Sequence, residues 1–247
     1  GVDPDAEEFA RVGASTVSGG KRMRAAFCWW GWRACTEDFG DDVPPSVISV
    51  AASLEIFQSA ALVHDDLIDN SDTRRGQPAA HRALEAAHRA RERSGDAATP
   101  GRSSAILLGD LLVAWSDDLF EEGLEDLPSR AARATRSSYA QMRRDVTIGQ
   151  YLDIAAESAF ADTPDARRVE RALHIASFKS ARYSVQQPLL IGAAMAGASE
   201  HQIAALRDFG HDVGVAFQLR DDVLGVFGRP EITGKPAGDD LREGKRT

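Results

Sequence analysis

The sequence predicts an all-α fold, and three observations predict it. Ten prolines, at 4, 44, 45, 78, 100, 128, 164, 188, 230 and 236, fence off long proline-free segments rich in Ala, Leu, Arg and Glu, which is helix punctuation. Apolar residues recur at 3-4-3-4 spacing in two of those segments. Alternating strand patterns bounded by Asn-Gly or Asp-Gly turns are missing. A length of 247 residues corresponds to roughly 1.6 typical domains. No internal repeat or long linker divides it, so the expectation is one domain over 1–247.

Taken in order, Cys28 and Cys35 sit seven apart on an expected helix, where both would lie on one face as small buried thiols. Two cysteines make no disulfide or zinc framework, which points to a reducing, cytoplasmic setting. No signal-peptide pattern opens the sequence. After Pro45, the residues Val47, Val50, Leu54, Phe57 and Ala61 trace one face of a helix. The window from Val43 to His64 carries Glu55, Gln58 and four serines, so no membrane span is expected. Arg89–Gly101 and Phe160–Pro164 read as loops. A last stripe, Leu206, Phe209, Val213, Phe217 and Leu224, skips one step at Asp221. Trp29, Trp30 and Trp32 read as core or subunit-interface anchors.

Composition narrows the chemistry. Hydrophobic residues make 43% and charged residues 27%, ordinary globular usage. With Lys+Arg 29 against Asp+Glu 38, the net charge is −9. That excludes a bulk electrostatic grip on nucleic acid or anionic lipid, so an anionic ligand must be held locally. Asp65, Asp66 and Asp69 end the first striped helix in LVHDDLIDN. Positions 65 and 69 are one turn apart, so their carboxylates share a face and suit a hard cation such as magnesium. Alone, such a pattern is more often a solvated acidic helix end. Here the second stripe repeats it, with Asp221 in register and Asp222 beside it in FQLRDDVLG. A carboxylate in an apolar stripe should point inward, which is costly without a cation. Asp117-Asp118 is read as a solvated face.

Basic clusters accompany the acids: Arg74-Arg75 in DTRRGQPAAH, and Lys21, Arg22 and Arg24 after Gly19-Gly20. Arginine forks and lysine point charges suit phosphate oxygens. The Gly20-Lys21 step is no P-loop, because Arg22 stands where Ser or Thr should be. Acids for metal and bases for phosphate together favour a magnesium-dependent diphosphate site. His64 and His81, flanking the first motif, are expected to hydrogen-bond and not to ligate.

The ordered motifs SGGKRMR, ALVHDDLIDNSDTRRGQPAAH, LLGD, IGQYLDI, KSARYSV and FQLRDDVLGVFGRPEITGKPAGDDLREGK resemble the trans-isoprenyl diphosphate synthases, the polyprenyl synthetase family, and its bacterial geranylgeranyl-type members in particular. The resemblance covers almost the whole chain. It implies an isoprenoid synthase-type helical bundle around a central apolar cavity, in which isopentenyl diphosphate is condensed with an allylic diphosphate. Asp65, Asp69 and Asp221 would hold magnesium, three ions per site with substrate bound. Arg74, Lys179 and Lys235 would grip the allylic diphosphate, and Lys21, Arg24, Gln58 and Arg75 the isopentenyl one. Lys179, Gln218 and Lys235 would act in catalysis. Ser180, Tyr183, Phe217 and Gln218 match positions around the reacting carbons. Asp66 and Asp222 stand beside the metal acids, and Gln150 and Asp153 form a weaker GQxxD match.

Beneath the first motif, Ala60 and Ala61 would leave room for a growing chain and Phe57 would stop it near twenty carbons, giving geranylgeranyl diphosphate. The resemblance also implies a homodimer and, beyond Thr247, further helices that help close the active site. Gly225 stands where many relatives carry the last aspartate of the second motif. The alternatives are a class I terpene cyclase with a similar fold, and a non-catalytic partner subunit of a prenyl diphosphate synthase.

Overall fold

The computed structural model describes residues 3–37, 42–91, 94–159 and 164–228. Among them helices dominate: α1 (Pro4–Thr16), α2 (Met23–Arg33), α3 (Pro45–Ile68), α4 (Ala80–Ala90), α5 (Ala98–Glu122), α6 (Ser129–Ser158), α7 (Asp165–Ala176), a π-helical segment (Ser177–Gln186), α8 (Gln187–Met195) and α9 (Glu200–Phe227). The all-α expectation holds. The exception is a two-stranded ribbon, β1 (Thr73–Arg74) paired antiparallel with β2 (Gln77–Pro78). Its turn has left-handed backbone at both Arg75 (φ 52°) and Gly76 (φ 73°), the pattern of a type I′ hairpin, whose twist matches that of the strands.

The chain forms two compact units, one of Gly1–Arg22 and Ala52–Glu122, the other of Met23–Ala51 and Gly123–Thr247. In the first, Val12, Ala60, Val63, Leu67, Ala80, Leu84, Ala105, Leu108 and Leu112 make a common core, flanked by Phe9 and Ile56. The α3 register read from the sequence is observed: Val47, Val50, Leu54 and Phe57 are buried, and Ala61 is half-buried. Ser53, Glu55, Ser59 and Ala60 are buried too, so α3 is a core helix covered on several sides and not a helix with a wet face. Length and composition alone would let α3 cross a membrane, and half of its most apolar window is buried inside the protein.

Several boundaries differ from the expected ones. Cys35 lies past the end of α2, so only Cys28 is a buried helical thiol, and both cysteines are free. The expected loop at 89–101 is shorter, because Asp96 caps α5: its carboxylate accepts from Ala98 N, Thr99 N and Thr99 Oγ1 at 3.1, 3.1 and 2.7 Å. Pro100 then falls in the first turn, where no intrahelical donor is needed. Of the second expected loop, only Pro164 lies within the described residues, and α7 starts right after it.

In the second unit, α7, the π-helical segment and α8 form one continuous run. Within it Gln187 N–H donates to Arg182 C=O, five residues back. Pro188 has no N–H for the carbonyl of Ser184, and a widened turn upstream relieves that conflict. Two neighbours press on this segment. A Cβ on Gly149 of α6 would fall 2.4 Å from Lys179 N, and one on Gly214 of α9 would fall 2.5 Å from Ala181 O. Only glycine permits backbones so close. On α9 the buried residues are Gly210 and Gly214. Phe209, expected inside, is 56% exposed, so the packing face is rotated from the stripe of large residues. Phe217 and Asp221 follow Gly210 by nearly two and three whole turns and continue the glycine face, yet both are exposed. That corrects the expectation that Asp221 is buried: the helix runs on past the described elements that cover its middle.

Candidate active site

In the first unit the site is built on the last turn of α3. Helical periodicity puts Asp65 and Asp69 on one side and turns Asp66 inward. Asp66 is 3% exposed, while Asp65 and Asp69 are half-buried. The hairpin folds Arg74 back onto this turn. Its Nε donates to Asp66 Oδ1 at 2.8 Å, its Nη2 donates to the same oxygen, and Nη2 lies 3.5 Å from Asp65 Oδ2. Burial pushes the Asp66 carboxyl above the usual carboxylate range, against the pull of Arg74. For Arg74, burial opposes the cation, but Asp66, Asp65 and Asp69 outweigh it and raise the pKa further. Asp66 is therefore a structural counter-ion for Arg74, and the remaining acid pair is Asp65 with Asp69.

Among the described residues no group of three or more His, Cys, Asp or Glu converges as a ready metal cage. The donor set nonetheless fits magnesium. That ion prefers oxygen, keeps several waters, and is bound by one or two carboxylates with its other ligands taken from phosphate. His64 faces elsewhere: its Nε2 lies 3.3 Å from Ile106 O and 3.6 Å from Asp110. His81 is 1% exposed and burial lowers its pKa, and among the described residues neither ring nitrogen has a hydrogen-bond partner, contrary to the expectation that it hydrogen-bonds.

The basic loop after α1 belongs to the same unit. Lys21 is exposed, and Gln58 is half-buried two turns before Asp65. Arg75 reaches the loop and donates from Nη1 to Ser18 O at 3.0 Å. Arg22 lies 3.9 Å from buried Glu55 and donates to Val17 O, so this cation serves the loop's structure.

In the second unit Lys179 projects from the π-helical segment onto α6. Its Nζ donates to Asp153 Oδ2 at 2.5 Å, with the side chains 21% and 5% exposed, and among the described residues Asp153 Oδ1 is buried without a hydrogen-bond partner. One turn over, Arg182 pairs with buried Asp145 at 3.3 Å and stacks on Phe178 at 3.9 Å. Gln141 donates to the other oxygen of Asp145. The residues Tyr139, Met142, Asp145, Gly149, Asp153 and Ala156 are the buried stripe of α6. Two acids inside an apolar stripe are the sequence signal that would have found Asp145, which the motif reading missed.

Arg24 on α2 donates to Ser184 Oγ at 2.6 Å and lies 4.1 Å over the Tyr183 ring. Among the described residues its Nε is buried without a hydrogen-bond partner. Ser180 and Gln150 are half-buried. On α9, Gln218 Nε2 donates to Asp222 Oδ1 at 2.7 Å, and Gly225 is half-buried. Lys235 lies outside the described residues. Phe57 and Ala60 are buried on α3, 7% and 1% exposed.

The polyprenyl synthetase family matches residues 6–247. The geranylgeranyl diphosphate synthase of Mycobacterium tuberculosis is 35% identical over 237 residues, which are 94% of this chain and 59% of that protein. The (2E,6E)-farnesyl diphosphate synthase of the same species is 34% identical over 228 residues, 92% of this chain and 55% of that protein. The chain thus spans less than two thirds of the length of these curated relatives. Among solved structures, a geranylgeranyl pyrophosphate synthase from Corynebacterium glutamicum, complexed with isoprenyl diphosphate and magnesium, superposes with a TM-score of 0.90 at 46% identity. The match covers 99% of this chain and 67% of that one. A farnesyl diphosphate synthase from T. brucei, at 22% identity and a TM-score of 0.79, covering 100% of this chain and 69% of that one, shares the fold. With nearly its whole length matched, its motifs in the family's order and its helices in the family's fold, the chain belongs to the polyprenyl synthetase family.

Proposed function

We propose that the protein is a magnesium-dependent prenyltransferase that condenses isopentenyl diphosphate with an allylic diphosphate, makes a linear prenyl diphosphate and releases diphosphate. The observation that carries this reading is the end of α3, where buried Asp66 anchors Arg74 through Nε and Nη2 while Asp65 and Asp69 stand one turn apart and partly exposed. The similar C. glutamicum enzyme, solved with isoprenyl diphosphate and magnesium, supports it.

In this reading Asp65, Asp69 and Asp221 are the magnesium ligands, three ions being held with substrate. Magnesium, when bound, supplies positive charge against the diphosphate oxygens. Arg74, Lys179 and Lys235 hold the allylic diphosphate, and Lys21, Arg24, Gln58 and Arg75 hold the isopentenyl diphosphate. The allylic C–O bond breaks with its electron pair leaving on oxygen, where fixed cations stabilise the developing charge. The isopentenyl double bond donates the pair for the new C–C bond, and a proton passes to the departed diphosphate. No covalent enzyme nucleophile is required, but water must be excluded from the cation. Ser180, Tyr183, Phe217 and Gln218 stand around the reacting carbons.

The product is geranylgeranyl diphosphate, with Phe57 ending the space that Ala60 and Ala61 leave open. The relatives include both geranylgeranyl and farnesyl synthases, so this length rests on those three side chains. The protein works as a homodimer in the cytoplasm, a reading that the unpaired thiols of Cys28 and Cys35 and the exposed ring of Trp30 support. The test is to incubate the full-length protein with magnesium, isopentenyl diphosphate and allylic diphosphates of five, ten and fifteen carbons. Linear prenyl diphosphates support the proposal. A terpene hydrocarbon or alcohol would make it a cyclase, and activity only with an added synthase would make it a partner subunit.

A further inference from the structure

The loop between α1 and α2 holds an unusual run of left-handed backbone: Gly19 at φ 71°, Gly20 at φ 81° and Arg22 at φ 52°. The hairpin turn supplies a second left-handed position at Arg75. The two meet. Arg75 Nη1 donates to Ser18 O at 3.0 Å. A Cβ built on Gly20 would fall 2.8, 3.0 and 3.2 Å from Nη2, Cζ and Nη1 of Arg75, so the guanidinium lies directly over the bare α-carbon. At Gly19, whose backbone is equally left-handed, a Cβ would meet nothing within 4 Å. The two neighbouring glycines thus answer different needs: Gly19 serves the turn alone, while Gly20 serves the turn and the arginine.

We infer that Ser18 C=O and the bare α-carbon of Gly20 form a seat for the Arg75 guanidinium, making Gly20 a positioning residue that aims this cation at the isopentenyl diphosphate. A guanidinium is a rigid planar fork, so fixing one edge and one face fixes the direction of the rest. Arginine at the left-handed first corner of the hairpin, before Gly76, bears a backbone cost that glycine would not, and the seat sets its side chain on the loop that carries Lys21. This inference rests on the proposed function, because it takes the isopentenyl diphosphate as the anion that Arg75 meets.

The test compares Gly20→Ala with Gly19→Ala in the full-length protein, measuring KM for each substrate, kcat and Tm. Both variants load the same left-handed backbone and should lower Tm alike. Only Gly20→Ala should raise KM for isopentenyl diphosphate, by about tenfold, the loss of one well-aimed charge-assisted contact. Its KM for the allylic diphosphate should stay within about twofold of wild type. Placed on an Arg75→Ala background, Gly20→Ala should add no further change in KM. If Gly20→Ala alone fails to fold, the same double variant should fold as Gly19→Ala does. Equal KM values for the two glycine variants, or equal losses for both substrates, would overturn the seat. Wild-type protein that neither binds isopentenyl diphosphate in calorimetry nor extends an allylic primer would overturn the underlying reading instead.

Discussion

Replacing Lys179 by alanine should do two separable things, and the structure gives a size for one of them. Lys179 donates to Asp153 Oδ2, and among the described residues Asp153 Oδ1 is buried without a hydrogen-bond partner. The Asp153 side chain is 5% exposed, so Lys179→Ala strands a carboxylate away from water. Breaking a buried pair by removing one partner costs roughly 3–5 kcal/mol. Because the lysine side is 21% exposed and water can reach the gap, the low end, about 3 kcal/mol, applies here. In a protein of this size that is a fall in Tm of about 6–12 °C. Urea unfolding of Lys179→Met, of Asp153→Leu and of the two combined gives the coupling directly. The double variant should recover most of the loss, since an apolar pair of similar volume can replace a buried ion pair. A single-variant loss under about 1 kcal/mol, or a double variant as unstable as the sum of the singles, would refute the argument that the pair is desolvated. Activity should not return in the double variant, because the proposed diphosphate contact is gone.

Four further outcomes follow from other sites. Asp65→Ala should reduce kcat by about 100-fold or more while leaving stability within about 0.5 kcal/mol, whereas Asp66→Ala should lose about 3 kcal/mol by stranding Arg74; enzyme assays beside urea titrations separate the two acids. Gly149→Ala should destabilise by at least about 1–3 kcal/mol, since its Cβ would meet the backbone of Lys179 at 2.4 Å, and thermal melts check this. Burial pushes the Cys28 thiol up to about 12, so at pH 8.5 it should resist iodoacetamide in the native protein and react only after unfolding, while half-buried Cys35 reacts first; peptide mass mapping reads the order. Phe57→Ala should lengthen the prenyl product beyond twenty carbons, as chromatography of dephosphorylated products would show.

The legible parts of the fold were those where local chemistry decides. The 3-4 spacing of Val47, Val50, Leu54 and Phe57 placed α3 and its buried face correctly, and the DDxxD spacing located an acid-bearing helix end. The α9 face was misread because its closest packing runs through Gly210 and Gly214, and a pattern of large apolar residues does not register a glycine seam. The hairpin escaped notice because its turn is Arg-Gly, although Arg75 and Gly76 take the backbone that Asn-Gly usually supplies. The pairs Lys179–Asp153 and Arg182–Asp145 join residues 26 and 37 positions apart, beyond any helical period. The π-helical segment that aims both cations has no periodic signature of its own. Family resemblance singled out Lys179 and Asp153, while it left out Asp145 and gave no part to Arg182, Ser18 or Gly20, although its motifs contain them; their parts are visible only as contacts.

The proposed activity is extension of an allylic diphosphate with isopentenyl diphosphate, using metal held by the protein's own carboxylates. Its most direct measurement is incorporation of labelled isopentenyl diphosphate by the full-length protein with and without magnesium. Acid-labile linear prenyl diphosphate should appear with magnesium, stop on chelation, and fall to background in Asp65→Ala. Failure to extend any allylic primer, or product formation unaffected by chelation and by that substitution, would contradict it.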